Sequence, residues 1–305
     1  MSLSVVGAPR CSNRSAVRFA LLAALVGLEM RSALATNLRM EASTAWAENI
    51  NRASSPGDWR DSARLDASLS LVHLTEWRTG LVSVVEGGAS AERITRFTQQ
   101  DAATAGGSLQ VRRKFGFGPY APVLSFDASL RGREARIDGN DGWTAGAGVR
   151  VTKRFTTWFR AGLTADWQEH DARSAVFDTQ HHRVFGTLAW QIAPRLSLTH
   201  GNGRLWGSFT ANASSAVWSR ALGGGLGRPI ADYYHTVPRS VTESYGPGWV
   251  TYRVDGHVSF WWLELSAALG PNTSLPLRYE SFFSVNRVGV KYRQDVWTLQ
   301  LIHRY

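Results

Sequence analysis

The chain ends in the stretch VWTLQLIHRY, residues 296–305, in which apolar and polar side chains alternate. Every second position would share one face of a strand, and this face would carry Trp297, Leu299, Leu301, His303 and Tyr305. The intervening positions are mostly polar and would occupy the opposite face. This ending decides the fold if the rest of the chain repeats the same period of two.

The alternation does recur along most of the chain. Clear examples lie at residues 64–71, 124–131, 144–152, 159–168 and 183–192. Each of these segments has one apolar and one polar face, and none keeps the spacing of three and four that a helix requires. The pattern predicts an all-β chain whose strands separate two different environments.

The segments that link these strands are alternately short and long. Short links are predicted near Thr75-Glu76 and at residues 118–120, 154–156, 193–194 and 271–273. Longer polar links are predicted at residues 49–59, 88–103, 133–141, 171–179 and 210–246. Short turns at one end and long loops at the other are typical of antiparallel transmembrane β-barrels. The sequence therefore predicts one such barrel, most simply with twelve strands.

The twelve predicted strands have approximate bounds. They are residues 37–48, 61–74, 77–88, 104–117, 121–132, 142–154, 157–170, 180–193, 195–209, 247–269, 275–292 and 296–305. Asp255-Gly256 is a good hairpin signal inside the tenth segment. A turn there would require a further strand near residues 213–222 and give fourteen strands, and ten is the other alternative. The third segment has mixed phase, so its faces are not assigned.

The beginning of the chain has the composition of a secretory signal peptide. Arg10, Arg14 and Arg18 precede a short apolar run at residues 19–28, and Ala33-Leu34-Ala35 supplies a small-residue cleavage site. The prediction is a removed segment at residues 1–35 and a barrel at residues 36–305. Cys11, the single cysteine, would be removed with it, so the mature chain needs no disulfide.

Aromatic residues are numerous, with 13 Trp, 13 Phe and 8 Tyr, and several lie at predicted strand ends. Trp46, Trp143, Trp167 and Trp297 are at predicted outer ends, and Trp190 and Tyr305 at inner ends. Two aromatic belts suit the two interfaces of a bilayer.

In its alternation and its aromatic belts, the chain resembles the porin-like β-barrel proteins of the Gram-negative outer membrane. The resemblance implies location in the outer membrane, contact with its lipid, and recognition of the closing strand, ending at Tyr305, by the barrel-insertion machinery.

The polar faces of the strands carry charge that would line the interior. The candidates for selectivity are Arg64, Asp66, Asp127, Arg131, Arg150, Arg160, Asp166 and Arg183. The formal charge is +10; residues 1–35 hold four arginines and one glutamate, a contribution of +3, which leaves +7. Arginine rings favour anions in pores.

Two hypotheses about function follow from this interior. In composition and size the chain is similar to twelve-stranded, arginine-lined channels for acidic sugars, which implies a passive channel for small anions. The alternative is a packed, non-conducting barrel braced by Arg–Asp pairs. No basic helix is present, so a nucleic-acid partner is not predicted.

The segment from Thr199 to Arg204, followed by Trp218-Ser219-Arg220, resembles the catalytic region of the outer-membrane phospholipase A family. The resemblance implies a nucleophile at position 201, a base at 199 and an orienting group at 219. These positions hold Gly201, Thr199 and Ser219, so the nucleophile and the base are missing. His200 would point to the other face of the strand unless a bulge at the glycines shifts its phase. The prediction is therefore no catalytic site.

Other constellations are weak. His170, Asp171 and His181-His182 surround one predicted loop, but adjacent histidines on a strand point to opposite faces, so no metal site is predicted. The glycines at residues 223–227 lack the Lys and Ser or Thr of a phosphate loop, and no cofactor is predicted. The long segment 210–246 is the candidate for plugging the mouth or contacting a ligand, or else for packing on the rim.

Overall fold

The computed structural model describes residues 36–305, so the predicted signal peptide lies outside the described residues. Its barrel strands are β1 (Thr36–Glu48), β2 (Ser62–Arg78), β3 (Leu81–Ile94), β4 (Ala102–Lys114), β5 (Val123–Ala135), β6 (Gly142–Arg154), β7 (Phe159–Ala172), β8 (Thr179–Ala193), β9 (Leu196–Ala213), β11 (Val250–Ala268), β12 (Thr273–Asn286) and β13 (Lys291–Arg304). A three-residue strand, β10 (Arg239–Val241), pairs with β11 beyond the end of β12.

The last strand closes the sheet on the first, and this confirms the predicted twelve-stranded antiparallel barrel. β1 and β13 pair without interruption from Arg39 opposite Arg304 to Glu48 opposite Asp295. The backbone N–H of Tyr305 donates to the carbonyl oxygen of Leu38 at 2.8 Å. Closure gives each of the twelve barrel strands a partner on both sides, so their backbone groups are paired within the wall.

One alternative and two local predictions are wrong. The fourteen-strand alternative is wrong, because β11 continues through Asp255-Gly256, where both residues pair with β9. The first short turn is at residues 79–80, where Gly80 adopts a φ of +80°, since Thr75 and Glu76 still pair in the ladder. The last link is at residues 287–290, so the predicted break at residues 293–295 lies within β13.

The outward face of the wall is apolar over most of the circumference. Its exposed side chains include Leu65, Leu69, Leu71, Phe126, Val151, Leu163, Val184, Leu188, Leu263, Leu265, Leu277, Leu299 and Leu301. Soluble proteins rarely leave so large an apolar surface in water. Such a belt is typical of the outer surface of a transmembrane β-barrel.

Aromatic rings gather at both edges of this apolar belt. Toward the long loops, Trp261 and Tyr279 lie 5.2 Å apart, Tyr279 and Trp297 lie 4.7 Å apart, and Trp46 is directly opposite Trp297. At the short-turn rim, Phe159 contacts Trp190 with ring centroids 5.5 Å apart. The two rows have the placement of interfacial aromatic girdles.

The long-loop rim carries the only two α-helices within residues 36–305. α1 (Ser215–Leu222) and α2 (Arg228–Thr236) lie between β9 and β10 and pack on the inner side of the β9–β11 extension. Trp218 of α1 and Tyr234 of α2 both contact Tyr252, at 4.8 and 5.5 Å. Within the described part of the chain, no helix is long and apolar enough to cross a membrane.

Candidate functional site: the barrel interior

Directly opposed residues of an antiparallel pair point to the same side, so the strand registers define an inner face around the whole barrel. All eight sequence-predicted selectivity residues fall on it, at the positions between the exposed apolar side chains. They are Arg64, Asp66, Asp127, Arg131, Arg150, Arg160, Asp166 and Arg183. The structure spreads them over β2 and β5–β8.

Half of these candidates neutralise each other. Arg64 Nε lies 3.0 Å from Asp66 Oδ2, and Arg183 binds Asp166 through Nε and Nη2, the latter at 3.0 Å. Two further inner-face arginines are also paired: Arg39 with Glu41, and Arg278 with Glu280 at 2.8 Å. The pair of Arg183 and Asp166 joins β8 to β7, whereas the other three pairs each lie within one strand. All four leave little net charge where they lie.

The inner face of β4–β6 is different, and we call it the basic wall. It carries Arg112, Arg131, Arg133 and Arg150 against one carboxylate, Asp127. Within residues 36–305 none of these arginines forms an ion pair; Arg150 Nε donates to Thr164 Oγ1 at 3.3 Å and Arg112 Nε to Gln110 Oε1. Arg112, Arg131 and Arg150 are exposed although they face inward, so solvent reaches the interior at this wall.

Small side chains lie beside the arginines of the basic wall and leave room for solvent. The inner positions beside the arginines are Gly106, Ser108, Ser125, Ser129, Gly146 and Gly148. Sequence reasoning missed two of the four arginines. Arg112 had the inward phase of its strand, but Arg133 fell in a predicted loop, since β5 continues to Ala135.

The inner face of β8–β12 is filled by rings, and we call it the aromatic wall. Phe185 lies 5.5 Å from Trp262, and Trp262 stacks with Phe260 at 5.9 Å and 13° between planes. The guanidinium of Arg278 lies over Trp262 at 4.9 Å from the ring centroid. A side chain at Gly201 would overlap the indole of Trp262, so this glycine provides the space that the ring occupies.

The lipase-like motif therefore has another role in the structure. The register of β9 with β8 and β11 is unbroken through Gly201 and Gly203, so the bulge that would have reoriented His200 is absent there. His200 faces outward, 6.4 Å from Trp261. Ser208 Oγ accepts from the backbone of Gln180, and Ser214 Oγ accepts from Val217 at the start of α1. No hydroxyl of residues 36–305 is hydrogen-bonded to His200.

The histidines near the β7–β8 loop do not converge. His170 is on the inner face, where its Nδ1 lies 3.0 Å from Thr144 Oγ1, and His182 is on the outer face opposite Trp167. Among the described residues, no group of three or more potential metal ligands is close enough to hold an ion.

Two cavities of about 210 Å³ each lie inside the long-loop rim. Arg52, Thr210 and Gln294 line both of them. Arg52 belongs to the β1–β2 loop, and sequence reasoning did not select it. The predicted plug segment contributes Tyr245 to the second cavity, while Tyr234 of α2 packs on the rim, where its hydroxyl lies 3.1 Å from that of Tyr292.

A closed barrel with an outward apolar belt, two aromatic girdles and a polar interior is an outer-membrane β-barrel. An outer-membrane channel from Pseudomonas putida F1 has the same fold, with a TM-score of 0.54 and 10% identity over 92% of this chain and 98% of that one. The NanC porin gives 0.44 and 8% identity, over 88% of this chain and 99% of its own.

The KdgM porin, solved with a disordered oligogalacturonate, gives a TM-score of 0.40 and 7% identity over 86% of this chain and 98% of its own. No protein-family model matches the sequence, and no curated protein matches it. The likeness to solved structures thus concerns the fold.

Proposed function

We propose that this protein is a passive outer-membrane channel that prefers small anions. The observation that carries the proposal is the basic wall, with its inward, solvent-exposed and unpaired arginines. Fixed charge beside water in a low-dielectric wall concentrates ions of the opposite sign. The paired arginines on the other strands contribute little to this field.

The interior also contains acidic groups, so the expected preference is moderate. Glu86 and Glu92 of β3 face inward, and neither forms an ion pair within residues 36–305. Together with Asp127, these two glutamates partly cancel the positive charge of the four arginines of the basic wall. Lys114, Arg154 and Arg160 add positive charge at the short-turn rim, which favours entry of anions from that side.

The test is the zero-current potential of the refolded protein in a planar bilayer under a salt gradient. We expect a potential of the sign that marks anion preference, and Arg131→Gln to move it toward zero. Arg93→Gln is the matched control, because Arg93 is an exposed arginine on the outer face of β3. An absence of conductance, a cation preference, or equal effects of the two substitutions would overturn the proposal.

A further inference from the structure

The loop between β1 and β2, residues 49–61, is anchored by buried amides. Asn49 Nδ2 donates to the carbonyl oxygens of Ala53 and Arg293, at 3.0 and 2.6 Å, and its Oδ1 accepts from the N–H of Ala53 at 2.8 Å. The amide of Asn51 bridges Asp58 and Arg60 across the loop. These side chains fix the loop in one conformation.

That conformation places an arginine where its backbone is strained. Arg52 has a φ of +50°, a left-handed conformation that side chains other than glycine and asparagine adopt at a cost. Strain of this kind persists when the surrounding structure enforces it, and it is concentrated at binding sites. The hydrogen bonds of Asn49 and Asn51 supply the enforcement here.

The side chain of Arg52 borders both rim cavities. Its Nε donates to the neutral amide of Gln294 at 3.3 Å, and within residues 36–305 no carboxylate forms an ion pair with it. The side chain is solvent-exposed at the rim, and its guanidinium is charged. An exposed cation whose hydrogen-bond partner is a neutral amide can bind an anion.

The first cavity combines this cation with an apolar wall. Leu205, Phe209, Val258, Phe282 and Tyr292 form one side of it. Arg52, His181 and Gln294 supply polar groups at its edge. A bare inorganic ion would leave the apolar wall unused, whereas an apolar body attached to a carboxylate would use both parts.

We propose that this cavity binds a small carboxylate with a compact apolar body, such as a single ring, with the carboxylate on Arg52. The planar guanidinium matches a carboxylate in bidentate geometry, and the volume of about 210 Å³ suits one ring. The role of such a compound as a permeating solute rests on the proposed channel function; its binding does not. A site in a channel must also release its ligand, so binding is weak.

Calorimetric titration of the detergent-solubilised barrel with benzoate tests the proposal. Benzoate is expected to bind, and acetate and benzyl alcohol, which each lack one half of the ligand, to bind at least about tenfold more weakly. Arg52→Gln should weaken benzoate binding by a similar factor, and Arg52→Lys should weaken it by less. Arg136→Gln, in the β5–β6 loop away from the cavities, is the control and should bind like the unchanged protein.

The proposal is overturned if benzoate fails to bind, if acetate or benzyl alcohol binds equally well, or if Arg52→Gln leaves benzoate binding unchanged. Heat-dependent gel migration verifies that each variant is a folded barrel before titration. Conductance separates this proposal from the channel function. Benzoate binding without current supports the carboxylate site and contradicts the channel function. Anion current without benzoate binding supports the channel function and contradicts the carboxylate site.

Discussion

Gly201 leaves a space in the barrel wall that the indole of Trp262 fills. The two residues are directly opposite each other on β9 and β11, and both face inward. The aromatic wall therefore depends on a missing side chain in the neighbouring strand. This close approach is a common reason for glycine in the interior of a strand.

Gly201→Ala should destabilise the barrel by about 1–3 kcal/mol, because the added methyl group overlaps the indole ring and forces it to move. Equilibrium urea unfolding in lipid vesicles measures the change. Gly186→Ala on the adjacent β8 is the control, since the nearest atom to its new Cβ is 3.9 Å away. Equal stability of the two variants would show that Trp262 does not need this space.

Arg52 provides a second test at this scale, because its strain and its charge can be separated. Arg52→Gln and Arg52→Asn both remove the charge, but asparagine tolerates the left-handed backbone. We expect Arg52→Asn to be more stable than Arg52→Gln by about 1 kcal/mol. The same urea unfolding experiment measures the difference. An asparagine variant less stable than the glutamine variant would mean that the backbone at Arg52 is not strained.

The orientation and contacts of individual side chains were the hardest features to predict from the sequence. On β9 the outward positions include Asn202 and Arg204 and the inward ones Leu205 and Phe209, so the usual polarity of a barrel strand is reversed. The reversal follows from the aromatic wall, whose partners come from β8, β11 and β12. No local sequence pattern marks Arg52 as a binding residue. Its position depends on hydrogen bonds from its loop to residues 212, 293 and 294, which are distant in the sequence.

At the scale of elements, the β1–β2 loop and the helical segment shape the long-loop rim. The loop is tied to the β9–β11 extension: Asn212 Nδ2 donates to the carbonyl oxygen of Asn51 at 2.8 Å, and the N–H of Ser214 donates to Asp58 Oδ2 at 2.7 Å. The position of Arg52 therefore depends on a distant part of the chain.

Asn51→Ala should release this loop without opening the barrel. It removes the bonds to Asp58 and Arg60, a local loss of roughly 1–3 kcal/mol for buried groups left without partners. Amide hydrogen exchange at residues 52–60 should accelerate, with the barrel strands unchanged. Asn140→Ala, in the β5–β6 loop, should leave this region as it is. Unchanged exchange in Asn51→Ala would show that its amide does not hold the loop.

Strands were predictable because each is a local alternation of period two, and most predicted bounds are within a few residues of the structure. The helices were missed, although their signals were present. Ser214 caps α1, Gly223 follows it, and Pro229 lies in the first turn of α2. The alternation of strands and links assigns residues 210–246 to a loop, and that assignment does not use these helix signals.

At the scale of the whole molecule, the barrel divides its interior between the aromatic wall, which is filled, and the basic wall, which solvent reaches. The sequence predicted arginines inside, but it could not tell paired from unpaired ones. Arg183 and Arg150 occupy similar positions in their strands, yet only Arg183 faces a carboxylate on its neighbour. Pairing depends on strand register, which alternation alone does not fix.

The sign of the zero-current potential in a salt gradient tests the central claim most directly. The unpaired charge of the basic wall predicts that anions carry most of the current, and that Arg131→Gln weakens this preference while Arg93→Gln does not. A barrel that conducts nothing, or that passes mainly cations, would contradict the account.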